Sequence, residues 1–295
     1  MNIALLREKF KVPGLRFEQG ENGLIRAVIE TPVASGEVYL QGAHVTAYQP
    51  SGSKPVLWVS KQALFEPSKP IRGGVPICFP WFGAHQTDPK APAHGSARAK
   101  EWEFLSAVAN EAHSLSIRLG TTIDGLRVDF YVSFGTTLHM NLQVSLPDSA
   151  ADRKCFEAAL HTYFSVSDIH AVSIQGLESN GYIDKVGGTT PRLASGEAIR
   201  FSSELDRVYQ DTDATCVLQD PGFHRSIAVE KTNSKSTVVW NPWIAKSARM
   251  ADFGDDEWQE MLCIETANVG ENAIVLAPGE SHSMTATISV DLMAL

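Results

Sequence analysis

Apolar and polar side chains alternate one for one over residues 138–146. Leu138, Met140, Leu142, Val144 and Leu146 fall on one side, and His139, Asn141, Gln143 and Ser145 on the other. A two-residue period suits a strand with one buried face and no helix, because side chains on a pleated backbone point alternately to opposite faces. Alternation recurs at residues 24–30, 37–48, 114–119, 127–134, 226–231 and 284–290, with Gly, Pro, Asn or Asp between many of these runs. Helical periodicity is almost absent. Parallel βαβ units would show helical patterns of about 10–15 residues between strands, so the pattern predicts an all-β chain, an antiparallel sandwich or barrel. No repeat, low-complexity tract or linker divides the sequence, and large β folds occur as single units. Residues 1–295 are therefore expected to form one domain. The irregular stretches 84–93, 187–197 and 246–257 read as binding loops or surface excursions.

Charge narrows the function. Asp and Glu outnumber Lys and Arg by 34 to 25, a formal charge of −9, and the basic residues are scattered. Nucleic acid and anionic membranes are therefore not expected partners. An anionic substrate would need a few locally placed arginines. The four cysteines, Cys78, Cys155, Cys216 and Cys263, are far apart and contain no C-x-x-C pair. They fit neither a zinc site nor a disulfide framework and are expected to be ordinary small buried residues. The opening MNIALLREKF has charges where a signal peptide needs an apolar run. A cytoplasmic location is expected.

The phosphate-binding, dinucleotide-binding, zinc-protease and serine-hydrolase signatures are all missing. What remains is a set of polar residues in apolar or Gly/Pro-rich surroundings. In the 156–164 segment an extended chain puts Phe156, Ala158, Leu160 and Phe164 on one face, and Glu157, Ala159, His161 and Tyr163 on the other. Taken alone, His161 reads first as a structural histidine at a sheet surface. Glu265 follows an apolar run, Met261 to Ile264, and burial there would raise its pKa toward that of a general base. An ordinary ion-paired glutamate fits the same pattern. Arg72 stands beside two glycines, and in the extended segment 94–98 His94, Ser96 and Arg98 share a face. Two arginines converging on a phosphate would give planar, charge-assisted contacts, although two surface arginines would look the same. Asp206 could accept hydrogen bonds from sugar hydroxyls. Trp240 and Trp243 are read as core.

Taken in order, RGGVPICFPWFG, HGSAR, ALHTYF, ELDRVY, WNPW and MLCIETANV span most of the chain. Together they resemble the glucose-6-phosphate 1-epimerase branch of the aldose 1-epimerase family. The resemblance implies a large, twisted antiparallel β-sandwich of the galactose mutarotase type with the sugar in an open cleft. It also implies an isomerase that interconverts the anomers of a hexose 6-phosphate. His161 matches the family's catalytic acid and Glu265 its base; Arg72 and Arg98 match its phosphate contacts, Asp206 its hydroxyl-binding aspartate, and His94 a cleft position. Ala93 departs from the polar residue that some relatives carry before the histidine. Neither a metal nor a cofactor is implied, the partner is a small-molecule sugar phosphate, and a monomer is expected. An aldose 1-epimerase acting on free sugars and a non-catalytic carbohydrate-binding protein are the alternatives.

Overall fold

The strand marked most clearly by alternation runs over Leu138–Ser145, inside an eight-stranded antiparallel sheet. Its neighbours are Leu126–Phe134 and Ser281–Leu292; Met140 lies opposite Val132 on one side and Ala286 on the other. Leu138, Met140, Leu142 and Val144 are almost wholly buried, while His139 is exposed. Each such side chain contributes about 1.5–3 kcal/mol by leaving water, and a one-residue slip would turn all of them outward. That penalty fixes the register.

The structure, a computed structural model, describes residues 2–293. A second eight-stranded antiparallel sheet follows the order Thr190–Arg192, Tyr182–Asp184, Leu205–Tyr209, Ser236–Asn241, Met261–Asn268, Ala158–Leu160 and Ile77–Cys78. Tyr163–Ser165 also pairs with Met261–Asn268. A four-stranded sheet, Leu15–Gln19 to His44–Pro50, flanks them. Leu160, Phe164, Leu262 and Ile264 of the second sheet share one apolar core with Phe130, Leu142 and Ile288 of the first and with Ile29 and Val45 of the small one. The fold is the all-β antiparallel sandwich that the alternation predicts.

Several local expectations are corrected. Residues 37–48 are not one strand: Ala34–Tyr39 and His44–Pro50 form a hairpin. The chain reverses at Gly42 and Ala43, both with positive φ, a backbone state that costs glycine little. Helices occur at Ile3–Lys9 and Trp243–Ser247, too short for a helical period to show in the sequence. The irregular stretch 187–197 contains the edge strand Thr190–Arg192. Cys155 is exposed while the other three cysteines are buried. It lies opposite the exposed Val275 in a two-stranded ribbon, Lys154–Phe156 with Ile274–Leu276, that leaves one face to solvent.

Candidate active site

The face of the second sheet opposite Leu262 and Ile264 carries two adjacent cross-strand rows. In one, Asp206 is opposite Trp240, Trp240 opposite Cys263, and Cys263 opposite Tyr163. In the next, Val208 is opposite Val238 and Val238 opposite Glu265. Leu160 pairs with Thr266 and Tyr163 with Cys263 in the same register, so His161 lies across from Glu265. Directly opposed side chains share a face and come within about 5 Å at Cβ. The alternation in 156–164 thus placed His161 and Tyr163 on one side, and their rings stack at 4.8 Å. The expected continuous strand is interrupted at Glu157 and again at His161–Thr162, where the His161 amide donates to Pro76 O at 3.1 Å.

His161 Nε2 is 3.2 Å from Glu265 Oε1, with exposures of 7% and 1% for the two residues. Cys78, Ala159, Val208, Val238, Ala267 and Val269 form an apolar cluster on this face, which accounts for the desolvation. Burial pushes Glu265 well above the usual carboxylate range; nearby Asp206 adds to the rise and Arg98 opposes it. Burial, followed by His94, Arg98 and Arg72, holds His161 well below the usual imidazole range. Burial thus moves both groups toward their neutral forms and away from an ion pair. His161 Nδ1 and Glu265 Oε2 are buried without a hydrogen-bond partner. Such orphaned atoms cost free energy unless a ligand supplies partners.

His94 has its ring 5.8 Å from that of His161, edge to face. Gly83 N donates to His94 Nδ1 at 3.2 Å, which leaves the proton on Nε2 and makes that nitrogen a donor. Burial, followed by Arg98 and Arg72, lowers His94 to about 3, so it is neutral. At Gly95, φ is +74° and an added Cβ would lie 1.9 Å from Phe79 O; only glycine allows the chain to pass there. Arg72 is held by Asp252, Nε to Oδ2 and Nη2 to Oδ1 both at 3.2 Å, and by the Tyr163 hydroxyl at 3.0 Å from Nη1. Arg98 donates from Nη2 to Ala93 O at 2.8 Å, a backbone contact that needs no polar side chain at 93. Asp206 is half-buried and raised by that burial, against the pull of Lys246 and Lys185. Lys246 Nζ sits 3.7 Å from Asp206 and 3.0 Å from Glu204.

All six residues picked from the sequence are therefore close enough to interact with one another or with a shared neighbour. Tyr163, Asp252, Lys246 and Cys263 were not picked. The alternation that selects His161 also selects Tyr163, whereas the apolar run before Glu265 gives no hint that Cys263 shares its face. Nothing in the sequence links Asp252 to Arg72. Trp240 needs correction: it is buried as expected for core, yet its ring lies 6.0 Å from that of His161 and Lys246 stands 5.7 Å over it. It borders the site. Trp243, only partly buried, packs against Trp258 with ring centroids 4.3 Å apart and the planes tilted by 46°. Among the described residues, His161, Cys263 and Glu265 offer donor atoms within 4.8 Å of one another, a set that could hold a borderline cation. Acid/base chemistry at the pair requires none.

The family model for aldose 1-epimerase matches residues 28–289. A Cenchrus ciliaris protein is 34% identical over 270 residues, 83% of this chain and 78% of its own length. One from Escherichia coli K12 is 33% identical over 258 residues, 86% and 87% of the two chains. Both bear the name "Putative glucose-6-phosphate 1-epimerase". The crystal structure of YeaD from Salmonella typhimurium superposes with a TM-score of 0.87 at 28% identity, covering 95% of this chain and 94% of that one. Galactose 1-epimerase from Lactobacillus acidophilus, at 14% identity and a TM-score of 0.73 over 95% and 99% of the chains, shares the fold. With a family model matched along nearly its whole length and relatives above 30% identity, the chain belongs to the aldose 1-epimerase family.

Proposed function

We propose that the protein interconverts the α and β anomers of a hexose 6-phosphate, glucose 6-phosphate foremost, by opening and reclosing the sugar ring. The observation that carries this reading is the desolvated His161–Glu265 contact at 3.2 Å with its two orphaned atoms. Glu265, as carboxylate, takes the proton from the anomeric hydroxyl while protonated His161 gives one to the ring oxygen. The C1–O5 bond breaks and the free aldehyde forms. Rotation about C1–C2 and the reverse transfers yield the other anomer. After opening, Glu265 carries the proton and His161 is neutral, which is the distribution favoured by the site's burial and charges. The environment thus favours the protonation state reached on ring opening, and closure runs the same two transfers in reverse. Positioned acid and base groups each contribute about 10²–10⁴-fold, and neither metal nor cofactor takes part.

Asp206 and His94 Nε2 bind sugar hydroxyls in this reading, and Arg72 and Arg98 bind the phosphate, giving local attraction despite the charge of −9. The protein acts as a single-domain monomer in the cytoplasm. No helix of the described residues is long and apolar enough to cross a membrane. One observation favours a second reading, an aldose 1-epimerase acting on free sugars: Arg72 already spends three donors on Asp252 and Tyr163. Anomer-exchange rates on a panel of free and phosphorylated hexoses decide between them. Charge-assisted contacts are worth about 1.5–3 kcal/mol each, so kcat/KM should favour glucose 6-phosphate over glucose by about tenfold or more. Equal values would establish the free-sugar enzyme, and no exchange on any sugar would refute both.

A further inference from the structure

Glu157 begins the segment that leads into His161, and its carboxylate is bonded to backbone N–H groups of two other segments. Oε2 accepts from Phe82 N at 2.8 Å and Oε1 from Gly270 N at 2.7 Å, while the Glu157 amide donates to Pro80 O at 2.9 Å. Gly270 follows the strand that carries Glu265. Phe82 packs its ring against His94 at 4.7 Å, edge to face. The next residue, Gly83, exchanges two hydrogen bonds with His94: His94 N to Gly83 O at 2.7 Å and Gly83 N to His94 Nδ1 at 3.2 Å. One carboxylate therefore joins the loop that orients His94 to the end of the Glu265 strand. On its outer side Glu157 lines a cavity of about 850 Å³ together with Trp81, Phe82 and Gly270. The loop has space on that side, and the carboxylate bonds hold it inward.

We propose that Glu157 is a positioning residue for anomer exchange: by clamping Phe82 to Gly270 it fixes the ring orientation and tautomer of His94 beside His161. The proposal rests on the function proposed above. Backbone N–H groups on a carboxylate make short, charge-assisted bonds, and displacing a binding group by about 1 Å can cost about 10²-fold in rate. In the proposed function His94 binds a sugar hydroxyl other than the anomeric one, so most of the loss belongs in KM.

The test is a double-mutant cycle with Glu157→Ala, His94→Ala and the double variant on glucose 6-phosphate, together with ¹⁵N shifts of the His94 ring. Glu157→Ala should lower kcat/KM by about 10–100-fold, chiefly through KM, and in the His94→Ala background by less than about twofold. The wild-type His94 ring should be the Nε2–H tautomer, mixing with the Nδ1–H form in Glu157→Ala. Equal losses in both backgrounds, or an unchanged tautomer, would overturn the proposal. If the alanine variant does not fold, Glu157→Gln keeps one acceptor oxygen and carries the cycle instead, with the same two outcomes. Wild type without anomer exchange would refute the proposed function, whereas the tautomer measurement would still judge the clamp.

Discussion

Replacing Glu265 by Gln should abolish most activity and yet make the protein more stable. The side chain keeps its size at a position 1% exposed, so packing changes little. Burial holds the wild-type carboxyl well above its ordinary 4.5. Between 4.5 and the folded value, the unfolded chain releases this proton and the folded one keeps it. The unfolded state then binds fewer protons, and wild-type stability falls by about 1.4 kcal/mol per pH unit. Glutamine lacks that slope. His161, shifted down, contributes the opposite slope below 6.5 in both proteins and cancels in the difference. From pH 5 to pH 7 the advantage of Glu265→Gln should grow by up to about 2.7 kcal/mol. Urea unfolding of both proteins at pH 5, 6 and 7 measures it, and mutarotation at pH 7 should fall about 10²–10⁴-fold. A stability difference independent of pH would refute the desolvated-carboxyl argument; undiminished mutarotation would refute the catalytic one.

The pH profile of kcat/KM on free glucose, which has no phosphate to titrate, should be flat through neutrality. Its acid limb should fall below pH 6.5, since the site opposes a second proton on His161; an acid limb above 6.5 would contradict that. Arg72→Ala should raise KM for glucose 6-phosphate by about tenfold or more and affect free glucose much less, as steady-state kinetics on the two sugars will show. Phe130→Ala, deep in the shared core, should cost about 3–5 kcal/mol in chemical unfolding; a loss under 1 kcal/mol would mean that the core is drawn wrongly. Exhaustive chelation with EDTA should leave the exchange rate unchanged, because only proton transfers are required.

The sequence makes local geometry legible and leaves tertiary partnership hidden, as particular residues show. The alternation in 138–146 and in 156–164 assigns side chains to the faces they occupy, because a strand's period depends only on its own backbone. Which strand lies beside which does not follow from either segment. His161 meets Glu265 only because Met261–Asn268 pairs with both Ala158–Leu160 and Tyr163–Ser165, and no local feature encodes that pairing. The same gap conceals Asp252 behind Arg72, 180 residues away, and Lys246 beside Asp206. The helix Trp243–Ser247 is too brief to reveal a period, so the lysine on it offered no signal. The sequence suggests burial for Cys155 because cysteines are usually buried, whereas its short ribbon leaves one face to solvent. Trp240 satisfied two descriptions at once, being core by burial and site by contact.

Exchange NMR on equilibrated α and β glucose 6-phosphate tests the central claim most directly. It reads anomer interconversion itself without any coupling enzyme. The account predicts strong H1 exchange between the anomers with the wild-type protein, absent in buffer on the same timescale. It also predicts that this exchange is lost in both Glu265→Gln and His161→Asn. Wild-type exchange no faster than buffer, or exchange equally fast in both variants, would contradict it.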